Sequence, residues 1–210
     1  MSPRTSQQFK EIREEKKALI MGAALEQFAN EGYYRTTISN IARHAGISKG
    51  LMYNYFESKE ALLQAIVLKS VNEATKFFDI NRDGYLTEKE FVFFVRKIPV
   101  LLRKERSFWR LLMQLLVQKD VREQLIKTFH EPDAKGAAGK DPGSYSTPLQ
   151  MRKIIADYFY RKKERLGSDY DPVCELNLFF STLVGYAVKN IYSESEDDKK
   201  MIERIIEMYK

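Results

Sequence analysis

The stretch from Asp79 to Glu90, DINRDGYLTEKE, places side-chain oxygen at alternate positions and a glycine where a sharp bend is needed. In a calcium loop this spacing would make Asp79, Asn81 and Asp83, the Tyr85 carbonyl, Thr87 directly or through water, and a bidentate Glu90 the ligands, with Gly84 at the bend. Every letter also has a structural reading. Asp83-Gly84 is a turn pair, Asp79 and Asn81 suit a helix end, and Thr87 with Glu90 three residues on makes a capping box. Capping gives no reason for acids and amides at 79, 81 and 83, which favours a capacity to bind calcium. Arg82 and Lys89 would weaken such a site, and only one loop of this kind is present, which argues against a calcium-sensing role. Both readings stand at this point.

A second stretch, from Thr36 to Phe56, carries different chemistry. Ser48, Lys49, Gly50, Leu51, Tyr53, Asn54 and Tyr55 bring hydroxyl, amide and ammonium groups within one short segment, suited to phosphates and to base edges in a major groove. Enzyme chemistry has little support: the histidines are His44 and His130, neither with a Cys or Ser partner pattern nearby, and no glycine-rich phosphate loop occurs.

Helices must position these groups. The apolar positions Ile12, Leu19, Ala23 and Phe28 recur at helical spacing from about Glu11 to Asn30, with Gly32 as the stop. Two short helices follow, TTISNIARHA and SKGLMYNYF, capped by Thr36 or Thr37 and by Ser48. Gly46 permits the sharp turn between them, while Ile41, Ala42, Ala45, Ile47 and Met52 face inward. A longer helix starts at Ser58, carries Leu62, Ile66 and Val67 on one stripe, and ends at the loop 79–90. EKEFVFFVRKI is helical up to Pro99, which must kink the chain or start a new turn. SFWRLLMQLLVQ continues with Ser107 as cap. The segment from His130 to Pro148 reads as a surface connection, and three helices complete the chain: Pro148 to Leu166, Pro172 to Ser193 and Asp197 to Tyr209. The expected fold is all-α, with a helix-turn-helix domain at 1–57 and a larger helical ligand-binding and dimerisation domain at 58–210, including a linking helix at 58–78.

The segment from Thr37 to Ile66 resembles the DNA-binding signature of the TetR family of transcriptional regulators. Thr37, Ile41, Ala42, Ala45, Gly46, Ser48, Gly50, Tyr53, Tyr55, Phe56, Lys59, Glu60 and Leu62 match its pattern, whereas Leu51 and Asn54 stand where the family often has Thr and His. The resemblance implies DNA contacts from Thr37, from Ser48, Lys49, Gly50, Leu51, Tyr53, Asn54 and Tyr55 on the recognition helix, and from Lys59 to a phosphate. It implies a homodimer that holds two recognition helices about 34 Å apart on a double-stranded operator, released when a small molecule, apolar in character, changes their separation. Phe94, Trp109, Phe159 and Phe180 are the candidate pocket residues, and Phe179, Leu183, Gly185, Ile202 and Ile206 the candidate dimer interface. The alternative is a calcium-responsive helical module that contacts protein.

Composition bounds both readings. The 210 residues are 44% hydrophobic and 30% charged with a formal net charge of +6, a balance that suits a folded, helix-rich protein. Residues 1–60 hold nine Lys and Arg against seven Asp and Glu, a net of +2, so DNA binding rests on placement and not on bulk charge. The single cysteine, Cys174, excludes an internal disulfide. The start lacks a signal-peptide core and no apolar run approaches the ~20 residues of a membrane span, so a cytoplasmic protein is expected.

Overall fold

The computed structural model describes residues 6–120, 123, 148–192 and 198–210. The His130 to Pro148 connection therefore lies almost wholly outside the described residues. Those described form helices and connections without a strand. The helices are α1 (Ser6–Glu31), α2 (Ile38–His44), α3 (Lys49–Tyr53), α4 (Lys59–Thr75), α5 (Glu88–Lys104), α6 (Arg106–Leu116), α7 (Pro148–Leu166), α8 (Pro172–Tyr192) and α9 (Asp198–Tyr209).

Local chemistry sets most of the helix starts. The Asn40, Leu51 and Ala61 amides donate to the side chains of Thr37, Ser48 and Ser58 at 3.0–3.1 Å, so three successive helices begin on a hydroxyl cap. Thr37 is the cap of α2; Thr36 is buried and donates instead to the Gly32 carbonyl at 2.8 Å, closing the end of α1. Gly32 has φ +86, the left-handed conformation in which glycine most readily ends a helix. The apolar stripe of α1 runs through Ile20, Ala23, Ala24 and Phe28, one position on from Leu19, which is exposed.

Two features of the expected outline change. Pro99 lies inside α5, which continues to Lys104. Val95, Ile98, Leu101 and Leu102 bury one stripe on both sides of the proline, and that burial, at roughly 1.5–3 kcal/mol per large side chain, outweighs the backbone hydrogen bond that proline forfeits. Helix α6 starts at Arg106 from Glu105 without a side-chain cap, so Ser107 lies within it.

The helices enclose two apolar cores. One unites α1–α3 with Leu62, Leu63, Ile66 and Val67 of α4 and Phe108, Leu111 and Leu115 of α6. The other joins the end of α4 to α5, α7, α8 and α9, centred on Phe91, Phe159, Phe179 and Tyr209. The core of α1–α3 continues into the first half of α4 and into α6. No helix among the described residues is long and apolar enough to cross a membrane.

Candidate nucleic-acid interface and ligand cavity

Helices α2 and α3 pack through Ile41, Ala42, Ala45 and Met52, all buried. Gly46 at φ +65 makes the turn between them. With that side anchored, α3 presents Lys49, Gly50, Leu51, Tyr53 and Asn54 to solvent; Leu51 is 37% and Tyr53 48% exposed, high for an apolar and an aromatic residue without a partner. Ser48 is exposed but is engaged as the cap of α3, and Thr37 as that of α2. Phe56, 7% exposed, is a packing residue.

Lys59 departs from the sequence expectation. Its ammonium donates to the carbonyls of Tyr33 at 3.0 Å, Thr36 at 3.1 Å and Tyr34 at 3.5 Å, and sits 4.4 Å from the centroid of the Tyr33 ring. A cation so engaged ties α4 to the α1–α2 connection and is not a free phosphate contact. The same joint carries Tyr33 Oη, which donates to Glu60 at 3.1 Å. Burial and the neighbouring Glu60 carboxylate push the Tyr33 phenol far above its ordinary value. Partial burial acts to raise Glu60, yet bonds from its own amide, Ser58 and Tyr33 prevail and hold it below the usual carboxylate value.

Sequence reasoning missed Arg13. From the exposed first half of α1 its guanidinium donates to the Asn54 carbonyl at 3.0 Å and lies 5.1 Å from the centroid of the half-buried Tyr55 ring. A separation of 41 residues leaves no local pattern to reveal this contact.

A cavity of about 280 Å³ lies between α4, α5, α6, α7 and α8. Phe94, Trp109 and Phe180 line it, with Val67, Met113 and Met151 among their neighbours. Among the described residues no charged side chain lines it; Ser70 contributes a hydroxyl, and the Trp109 indole N–H is occupied by the Leu101 carbonyl at 3.2 Å. Phe159 is not a wall residue. It is fully buried in the aromatic core, edge-on to Phe91 at 6.3 Å.

The residues expected at a dimer interface separate in the same way. Phe179, Ile202 and Ile206 are buried in the chain's own core, and Leu183 turns toward the cavity. Gly185 is on the surface, where a Cβ would meet nothing within 4 Å. The exposed stripe of α8 consists instead of Leu178, Val184, Gly185, Val188 and Tyr192, continued on α9 by Met201 and Met208.

The loop 79–87 is held by its own side chains. The buried Asp79 carboxylate accepts from the amides of Gly84 at 2.9 Å and Asp83 at 3.2 Å, and Asn81 donates to Asp83 at 2.7 Å. Glu90 turns back to the amide and hydroxyl of Thr87 at 2.9 and 2.7 Å, completing a capping box. The Arg161 guanidinium stacks 3.8 Å from the Tyr85 ring centroid and donates to the Leu86 carbonyl. Among the described residues no group of three or more His, Cys, Asp or Glu is placed to hold a metal ion. Capping and backbone anchoring occupy the same oxygens.

Residues 20–66 match the model of bacterial regulatory proteins of the tetR family. The chain is 47% identical over 58 residues to the HTH-type transcriptional regulator HbdR of Aromatoleum sp. (strain CIB), covering 28% of this chain and 25% of that protein. It is 39% identical over 59 residues to the HTH-type transcriptional regulator UidR of Escherichia coli (strain K12), covering 28% and 30%. The chain thus spans under a third of the length of these curated relatives. The fold is similar to that of the transcriptional regulator FadR from Bacillus subtilis, solved in complex with stearoyl-CoA, with a TM-score of 0.69 and 16% identity over 91% of this chain and 96% of that one. Residues 20–66 are thus similar to tetR-type regulatory proteins, and the described residues share the all-helical fold of the solved structure.

Proposed function

We propose that the protein is a ligand-responsive transcriptional regulator that binds a palindromic operator as a homodimer and releases it when a small apolar molecule fills the cavity. The observation that carries this reading is a shared wall. Val67 and Phe108 belong to the core that supports the recognition helix, and both also line the cavity. A ligand that favours a different separation of those walls changes the position of α3 through packed side chains, and so shifts the DNA-binding population. Dimerisation is supported by the exposed stripe of α8, where Val184, Val188 and Tyr192 are 40%, 41% and 60% exposed beside the open surface of Gly185. A contiguous apolar face on a soluble chain marks an interaction surface, and a second copy presents its own equivalent to it.

The uncharged walls suit a hydrocarbon ligand, and the stearoyl-CoA bound by the B. subtilis neighbour makes acyl chains the first probes to use. Selection of duplexes from a random pool, followed by mobility shift with fatty acids and acyl-CoA thioesters, tests the reading. Enrichment of inverted repeats bound two protomers at a time, and released by one of these probes, is expected. A pool with no enrichment overturns it.

A further inference from the structure

Helix α3 spans only five residues, too few for a helix to hold its own shape in water. Its amino end is fixed by Ser48. At its carboxyl end the Asn54 and Tyr55 amides return to Leu51 and Met52, and the Asn54 carbonyl points outward to the Arg13 guanidinium. Arg13 thus supplies what a helix end wants: a cation at the negative pole of the backbone and a donor for an orphan carbonyl. Its plane also lies near the Tyr55 ring. One rigid side chain therefore holds two consecutive residues of the DNA-facing segment against α1, whose own buried positions begin only at Ile20.

Resting on the DNA-binding reading above, we propose that Arg13 is a positioning residue for sequence recognition: it sets the angle of α3 so that Tyr53 and Asn54 meet base edges, and does not act chiefly as a phosphate contact. The two roles leave different signatures. Base readout requires side chains placed within a fraction of an ångström, so a loosened α3 loses discrimination while its charge-driven association with any duplex persists. A phosphate contact contributes equally to every sequence and to the salt dependence.

The test uses the full chain, a duplex selected by the unaltered protein, and a scrambled duplex of equal length. Arg13→Ala is expected to lower the ratio of specific to non-specific affinity about tenfold, the scale of one lost base contact, with the salt slope unchanged. Arg13→Lys keeps the charge but loses the planar fork and its stacking, and is expected to resemble Arg13→Ala. Tyr55→Leu is expected to reduce the same ratio, and the double variant to be no worse than either alone. Parallel loss of both affinities with a slope smaller by about one identifies a phosphate contact and overturns the proposal. An unchanged ratio at matched thermal stability overturns it too, as does an Arg13→Lys protein indistinguishable from the parent. Failure of the parent protein to select any duplex instead removes the underlying DNA-binding reading.

Discussion

The two cores differ in what they are built from. Around α1–α3 the interior is mostly Ile, Leu, Ala and Met, closed by short capped helices and by a lysine donating to three carbonyls. The core of α5, α7, α8 and α9 is aromatic, with Phe91 stacked on Tyr158 at 4.6 Å and 8° and set against Phe159 and Phe179 at 6.3 and 5.3 Å. The cavity lies in neither interior. It lies where they meet, lined by Val67 and Phe108 from one and by Ala74 and Phe94 from the other. On the function proposed above, a ligand at this incompletely filled seam acts on both bodies, because packed interiors move as units and do not deform continuously.

The largest expected effect comes from the aromatic core. Phe91→Ala removes a fully buried ring touching three others and is expected to cost about 4 kcal/mol in denaturant unfolding. A loss below about 1 kcal/mol would mean that this core collapses around the gap and that its rigidity is overstated.

The next pair of variants separates fastening from reading. Lys59→Ala leaves the Tyr33, Tyr34 and Thr36 carbonyls without their donor and is expected to cost about 2 kcal/mol of stability with little change in the salt slope of DNA binding. Lys49→Ala, at an exposed side chain of α3, is expected to leave the unfolding midpoint unchanged while reducing that slope by about one. The reverse pattern would exchange the roles assigned to the two lysines.

How far the sequence could be read follows the same division. Helix order and the caps Ser48, Ser58 and Thr87 are legible, and that of α2 to within Thr36 or Thr37, because a cap is decided within four residues. The outward set on α3 is legible because the single buried position of that helix, Met52, is local too. The bonds of Lys59 and Arg13 are not, since their partners are 23 to 41 residues away. Nor could the letters separate Phe94, at the cavity, from Phe159, in the solid core: both are aromatics at helical spacing, and only the crossing of helices decides which faces space. In the loop 79–90 the calcium pattern and the capping box share only Thr87 and Glu90, while the Asp79 carboxylate accepts from the Gly84 amide within the loop, so letters alone do not separate the two readings.

Two glycines provide a smaller contrast. Gly84 has φ +75, so Gly84→Ala is expected to cost about 1 kcal/mol through backbone strain alone. Gly185 lies in a regular helix with open space around it, so Gly185→Ala is expected to raise protomer stability by up to about 1 kcal/mol, as glycine-to-alanine does in helices. If the α8 stripe is where two copies meet, the same methyl group weakens the dimer, read as a dissociation constant by sedimentation. A tighter or unaltered dimer would place the interface elsewhere.

The smallest effects are at two carboxylates, one in each body. Glu60 is held below its ordinary value of 4.5 by hydrogen bonds that outweigh its partial burial; Glu203 is held below 4.5 chiefly by its bond to Arg96, met at 2.9 Å by both of its oxygens. A folded-state pKa below the unfolded one means that the ionised group contributes stability above about pH 4.5, and that this is lost as pH falls through the folded value. Glu60→Gln and Glu203→Gln are each expected to flatten the acid limb of a stability-pH curve slightly. Salt distinguishes them. Arg96 is exposed and Glu203 partly so, so at about 0.5 M salt, where screening acts within a few ångströms, the Glu203→Gln difference is expected to vanish. At Glu60 the Tyr33 and Ser58 hydroxyls and a backbone amide donate directly, and short hydrogen bonds are not screened, so the Glu60→Gln difference is expected to persist. Loss of both differences in salt would reduce the Tyr33–Glu60 joint to surface electrostatics and leave Lys59 as the fastening between α4 and the α1–α2 connection.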